Sequence, residues 1–317
     1  MKRPAPLVTA LLLVTALSLR AQGPDNGELR FALLRDLVLP GEPLTAIIAG
    51  FPGPPPEGEF RAVLVAGGSR LAAAKFFSLD GEEGGLPCMA AVLAVPSTAR
   101  PGPALVRIEA GSAAAGELAL NIGERSFLTE EIPLDQANTD IRTKPDPRKT
   151  EEAALLWSIL SRTGKTIYSM GPFVPPVSST RRTSFFGDRR VFIYTDGSRD
   201  RSIHAGVDYG VPTGTAVRAC ADGMVVLAHS RIVTGNSVVL EHLPGVYSLY
   251  YHLDRMAVSE GQIVKSGEML GNSGSTGLAT GPHLHWEIRV SGENTDPDAL
   301  VSHPVIDREA ILGKIEL

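Results

Sequence analysis

A chain of 317 residues with a formal net charge of −5 has no broad basic field to draw a polyanion, so nucleic acid is not an expected partner. The length allows one large core or two modest ones, and shifts in sequence texture favour two domains joined by a connector. Cys88 and Cys220, the only cysteines, fall in different predicted domains and outside any CxxC pattern. They read as small buried apolar side chains, with no disulfide expected.

The N-terminus is MKRPAPLVTALLLVTALSLRAQG. Lys2 and Arg3 precede an apolar run, Leu7 to Leu19, that is short for a bilayer, and Ala21 can end a cleavage site. Residues 1–21 therefore read as an export signal, with an uncleaved membrane anchor as the alternative. No cysteine follows to take a lipid anchor, and no other segment is apolar enough to span a membrane.

From residue 27 to 123 short strand-like runs alternate with turns: ELRFALLR, EPLTAIIAGF, EFRAVLVAG, RLAAAKFFSL, MAAVLAVP, PALVRIEAG and GELALNI. Period-two alternation, as in Leu118, Leu120 and Ile122, and the breaks FPGPPPEG and RPGP predict an antiparallel β-sandwich of immunoglobulin type. It holds no cluster of His, Asp, Glu or Cys resembling a catalytic site, so it reads as a spacer, a recognition module, a lid or a purely structural domain.

Residues 124–180 form the predicted connector. Asp146 and Pro147 suit a helix N-cap and first turn, and Leu155, Leu156, Ile159 and Leu160 recur at helical spacing before Gly164. One amphipathic helix is expected, followed by GPFVPPVSST as an extended, exposed linker, because its prolines cannot continue a helix. Residues 181–301 are dense in strand signals with glycine turns between them and no helical period, which predicts a compact antiparallel β-domain, with 302–317 as a tail.

The chemistry then lies on strands and loops. In HLH, His283 and His285 share one face of a strand and can address one site. In HAGVDYG, His204 and Asp208 are four apart in a segment unsuited to a helix, and a bend at Gly206 would bring them together. Two imidazole nitrogens and one carboxylate oxygen suit Zn²⁺ at about 2.0–2.2 Å and leave a position for water, the mark of a catalytic site. Either pair alone is weak, but His204, His252, His283 and His285 are four of seven histidines and all fall in this domain.

Residues from about 184 to 300 resemble the M23 family of zinc metallopeptidases, the LytM or lysostaphin type. SFFGDRR is similar to the family's opening phrase, HAGVDYGVPTGTAVRACADG to its first motif, YYHL to its catalytic-histidine phrase and SGSTGLATGPHLHWEI to its closing motif. The sandwich and RSFLTEEIPL are similar, less specifically, to the N-terminal region of exported members.

The resemblance implies that His204, Asp208 and His285 ligate one zinc, and that His252 and His283 are the unliganded catalytic histidines. One would move the water's proton to the leaving amine while the other helps to stabilise the oxyanion. His242 reads as structural, and His229 and His303 as surface residues. NSGSTGLATG lacks the GK[ST] ending of a phosphate cradle, and IVKSGE lacks the AMKM-like lysine of a biotinyl or lipoyl carrier.

The implied function is an exported zinc endopeptidase of the periplasm or cell envelope that cuts stem or cross-bridge peptides of bacterial peptidoglycan. The competing reading is an inactive LytM-like module that binds murein or activates another hydrolase.

Overall fold

Ten strands between Arg20 and Ile122 form two five-stranded sheets in a computed structural model, which describes residues 20–22, 28–54, 56, 58–79 and 86–315. One sheet runs Arg20–Gln22, Glu28–Leu33, Pro43–Ala49, Cys88–Ala94, Phe77–Ser78. The other runs Leu37–Val38, Ala113–Ile122, Gly102–Ala110, Phe60–Ala66, Ser69–Lys75. All pairings are antiparallel except Leu37–Val38 beside Ala113–Ile122. The expected strand runs all form. Most of the segment assigned to the export signal, including Leu7–Leu19, lies outside the described residues, and among the described residues no helix is long and apolar enough to cross a membrane.

Two central strands of the first sheet are apolar at every position or nearly so, and packing on both faces explains why. Leu44, Ala46 and Ile48, with Met89, Ala91 and Leu93, point into the sandwich beside Leu64, Val106 and Leu120. The alternate residues, Ile47, Ala49, Cys88, Ala90, Val92 and Ala94, belong instead to the core of the C-terminal half. Residues 302–317 supply part of that cover. Expected only as a tail, they include the helix Arg308–Ile315, and Val305, Ile306, Ile311 and Ile315 join the same core. Thr45 Oγ1 donates to Val305 O at 2.6 Å, and Ser291 Oγ to Val92 O at 2.8 Å.

The connector differs from expectation in three ways. Thr129–Pro133 is a strand, paired in parallel with Arg189–Ile193, which pairs in turn with Arg199–Ile203. There are two helices, Gln136–Thr143 and Pro147–Leu160. The first is short and polar and has no apolar period to announce it; Asp135 caps it by accepting from Asn138 N. GPFVPPVSST is extended and mostly exposed, as expected, but a few of its residues are buried anchors. Phe173 and Val177 are buried, Phe173 N donates to Leu300 O at 3.0 Å and Val174 N to Cys220 O at 2.8 Å. Prolines forbid a helix there without preventing their apolar neighbours from packing.

The second helix begins where its signals place it, with Asp146 accepting from Arg148 N and Pro147 at the first turn. Ile159 and Leu160 bury against Leu227, Val239, Tyr247, Leu249 and Tyr251, whereas Leu155 and Trp157 face solvent. This helix therefore covers the outer face of the C-terminal sheet. That sheet is ordered Arg182–Ser184, Gly206–Tyr209, Leu284–Val290, Val246–Met256, Gly235–Leu243, Gly223–Arg231, Ile263–Val264. Its inner face carries Val207, Tyr209, Val238, Leu240, Tyr250, Leu284, Trp286 and Ile288 into the main core.

Candidate functional site

Strand register builds the site. Asp208 and His285 are direct partners on neighbouring antiparallel strands, so their side chains share one face. His285 Nδ1 lies 2.8 Å from Asp208 Oδ1. His204 joins them from just ahead of the strand, which begins at Gly206; a Cβ there would sit 2.2 Å from Trp286 O, so only glycine permits the close approach of the chains. His204 Nε2 lies 3.2 Å from Asp208 Oδ1 and 3.0 Å from His285 Nδ1. All three residues are buried, and among the described residues theirs is the group of ligand atoms close enough to hold a metal ion.

The far nitrogens fit this donor set to a metal. His204 Nδ1 donates to Phe185 O at 2.8 Å, leaving the Nε2 lone pair free to face Asp208. His285 Nε2 faces Glu287 Oε2 at 3.4 Å, and Tyr251 stacks on the ring at 5.5 Å. Each imidazole is thus held by a second partner with one nitrogen directed at the shared point, as metal-binding histidines commonly are.

Asp208 is completed by the last residue of SFFGDRR, to which the motif reading gave no role. Arg190, on the strand Arg189–Ile193, donates Nη2 to Asp208 Oδ2 at 2.5 Å, leaving Oδ1 for the histidines. Burial pushes the Asp208 carboxyl up, but the charge and hydrogen bonds of His204 and His285 outweigh it and hold the group well below the usual carboxylate range. Burial lowers His285, yet Asp208 and Glu287 together raise it to about 9, so a cation arriving at Nδ1 displaces a proton. For His204 burial dominates and lowers the pKa.

His252 and His283 stand beside this group, their rings 4.8 Å apart. His283 Nδ1 donates to Gly281 O at 2.8 Å, and its Nε2 is 3.9 Å from Asp208 Oδ1. His252 Nδ1 donates to Thr276 O at 2.7 Å. His252 has φ +60°, a left-handed conformation unusual for a side chain other than glycine, within a strand whose register slips at that point. A slip of this kind re-aims a side chain, and such strain clusters at functional sites. Burial, then His283, lowers His252 to about 3, which keeps its ring neutral.

A cleft of about 610 Å³ opens over Asp208 and His283. The connector contributes Glu130 and Glu131 to its lining, to which Arg181 and Arg190 also belong. His242 lies elsewhere, fully buried between Asp222 O at 2.7 Å and Ser248 Oγ at 2.7 Å, with Cys220 Sγ at 3.7 Å. Cys88 and Cys220 are buried and form no disulfide. Glu287 was legible in principle, since HLHWE puts positions 283, 285 and 287 on one strand face. Arg190 was not, because it arrives from a different sheet.

Residues 202–297 match the profile of Peptidase family M23. Over 136 residues, 42% of this chain and 30% of the relative, the sequence is 40% identical to the DD-carboxypeptidase/endopeptidase Mpg of Neisseria meningitidis serogroup B. Over 118 residues, 37% of this chain and 27% of the relative, it is 39% identical to the peptidoglycan DD-endopeptidase ShyA of Vibrio cholerae serotype O1. The matched segment thus spans less than a third of either relative. A crystal structure of a candidate M23 peptidase from Pseudomonas aeruginosa superposes with a TM-score of 0.56 at 24% identity, covering 83% of this chain and 94% of that one, a likeness of fold. The domain that brings His204, Asp208, His283 and His285 together is a member of peptidase family M23.

Proposed function

We propose that the chain is an exported zinc endopeptidase that hydrolyses peptide bonds in the stem or cross-bridge peptides of bacterial peptidoglycan. The observation that carries this reading is the convergence of His204 Nε2, Asp208 Oδ1 and His285 Nδ1 beneath an open cleft, with two further histidines alongside. The substrate class is supported by relatives whose names specify DD-endopeptidase activity on peptidoglycan. The export signal, the periplasmic or envelope location that follows from it and the immunoglobulin type of the sandwich belong to the same reading, the last supported by its strand order.

His204, Asp208 and His285 would hold one zinc, which supplies Lewis acidity for the scissile carbonyl and an acidified water as nucleophile. The protein's own contribution is proton handling and orientation. His252 and His283 each commit Nδ1 to a backbone carbonyl, which leaves Nε2 as the acceptor. One accepts the proton of the attacking water at Nε2 and passes it to the leaving amine, while its neighbour can stabilise the developing oxyanion only in the form that carries a proton on Nε2 as well. Arg190 fixes the Asp208 carboxylate by one oxygen so that the other stays directed at the histidines.

The test joins metal content to turnover. Wild-type protein is expected to contain about one zinc per chain and to digest purified peptidoglycan. In His285→Ala the zinc should vanish and digestion should fall by at least about a thousandfold while binding to the polymer persists. Undiminished digestion by the variant would overturn the assignment. Wild type that binds zinc and murein but cuts nothing would favour the binding or activator module.

A further inference from the structure

Two adjacent arginines enter the strand at the edge of the cleft, and only one has an acidic partner. Arg182 pairs with Asp298 at 2.7 Å and lies over the Tyr209 ring. Arg181 lines the cleft with Asp208 and His283 and has no ion-pair partner among the described residues. Its position is nevertheless set. Arg181 Nη1 donates to Gly210 O at 3.2 Å, and Gly210 N donates back to Arg181 O at 3.1 Å. A Cβ at position 210 would fall 2.3 Å from Nη1, so glycine there leaves the seat that the guanidinium occupies. One of five N–H donors is used in this way, and the guanidinium lies at the exposed margin of the cleft.

The acids of the same wall are already satisfied. Glu131 pairs with Arg199 at 2.7 Å. Glu130 accepts from Ser184 Oγ at 2.9 Å and lies 3.7 Å from Arg190, which holds Asp208 at 2.5 Å. The group left with unspent charge and unspent donors is a cation whose planar fork matches a carboxylate.

Resting on the endopeptidase reading, we propose that Arg181 is a specificity-determining residue that binds a free carboxylate carried by a residue flanking the scissile bond. The preferred substrates are then cross-links in which the residue supplying the amine keeps its own carboxylate, rather than uncharged bridges such as runs of glycine.

The experiment uses the full-length, metal-loaded protein and two synthetic cross-linked stem peptides that differ only in whether that carboxylate is free or amidated. The readout is the ratio of kcat/KM between them. Wild type should favour the free acid by about tenfold, the scale of one charge-assisted contact. Arg181→Gln should bring the ratio close to one, mainly through KM for the free acid, and Arg181→Lys should keep an intermediate preference. An unchanged ratio in Arg181→Gln, including one in which both rates fall together, would overturn the inference, as would equal cleavage of both peptides by wild type. Failure of wild type to cleave either peptide would overturn the endopeptidase reading and the inference with it.

Discussion

The N-terminal sandwich and the C-terminal domain are both built from strands, yet they spend their interiors differently. Among the described residues the sandwich buries one polar side chain, Thr45, whose hydroxyl is used by the tail. The C-terminal domain buries Asp188, His204, Asp208, Glu241, His242, His252, His285, Glu287 and Asp296, with several serines and threonines. Buried ionisable groups cost stability unless they are paired, and a well-packed apolar core would serve the fold at least as well. The lesson is that polar burial concentrates around the candidate site: five of those nine residues form or brace the His-Asp-His group and its neighbours, while the sandwich, with a single buried polar side chain, packs mainly Ala, Val, Leu and Ile.

Three measurements can break or sharpen that contrast. The largest effect is expected in the sandwich. Leu64 is fully buried between the sheets, and Leu64→Ala should cost about 2–5 kcal/mol in denaturant unfolding. The variant should match the metal content of wild type, and a lower content would show that the two interiors are not separable in role.

A comparable but pH-dependent effect should come from His242. Burial lowers it to about 4, below the value near 6.5 of an unfolded chain. The unfolded state therefore binds the proton more readily, and the contribution is fully present above about pH 6.5 and is lost as pH falls towards 4, by up to about 3 kcal/mol. Denaturation midpoints of wild type and His242→Gln across that window should differ in slope, wild type falling more steeply. Parallel curves would mean that the imidazole does not titrate as its burial requires.

The smallest effect belongs to the helix Pro147–Leu160. Asp146→Ala removes the side chain that accepts from Arg148 N and should cost about 1 kcal/mol. The loss should be read as destabilisation of the C-terminal unit, because the helix packs on Tyr247, Leu249 and Tyr251.

Much of this arrangement was legible in the residues. Period-two runs identified the sandwich strands, and HAGVDYG and HLHWE marked out the histidines and the aspartate because ligand spacing on strands is a local property. What escaped was non-local or weakly patterned. Thr129–Pro133 becomes a strand only by pairing with Arg189–Ile193, far along the chain, and nothing in TEEIP announces it. QANTDIRT forms a helix with almost no apolar face. Arg190 reaches Asp208 from the small sheet, so its part in the site depends on a packing arrangement that no spacing rule encodes. Burial of Phe173 and Val177 within GPFVPPVSST has the same origin, since proline-rich composition reports backbone shape and not what that backbone lies against.

The core shared by Ile47, Ala90 and Val92 on one side and Val305, Ile306 and Ile311 on the other has a consequence for heredity and for engineering. The final helix works as mortar between two bricks, so neither can be transplanted cleanly. A chimera that exchanges the sandwich while keeping a foreign tail would leave a mismatched seam, and surviving recombinants in nature should carry both sides of the joint together.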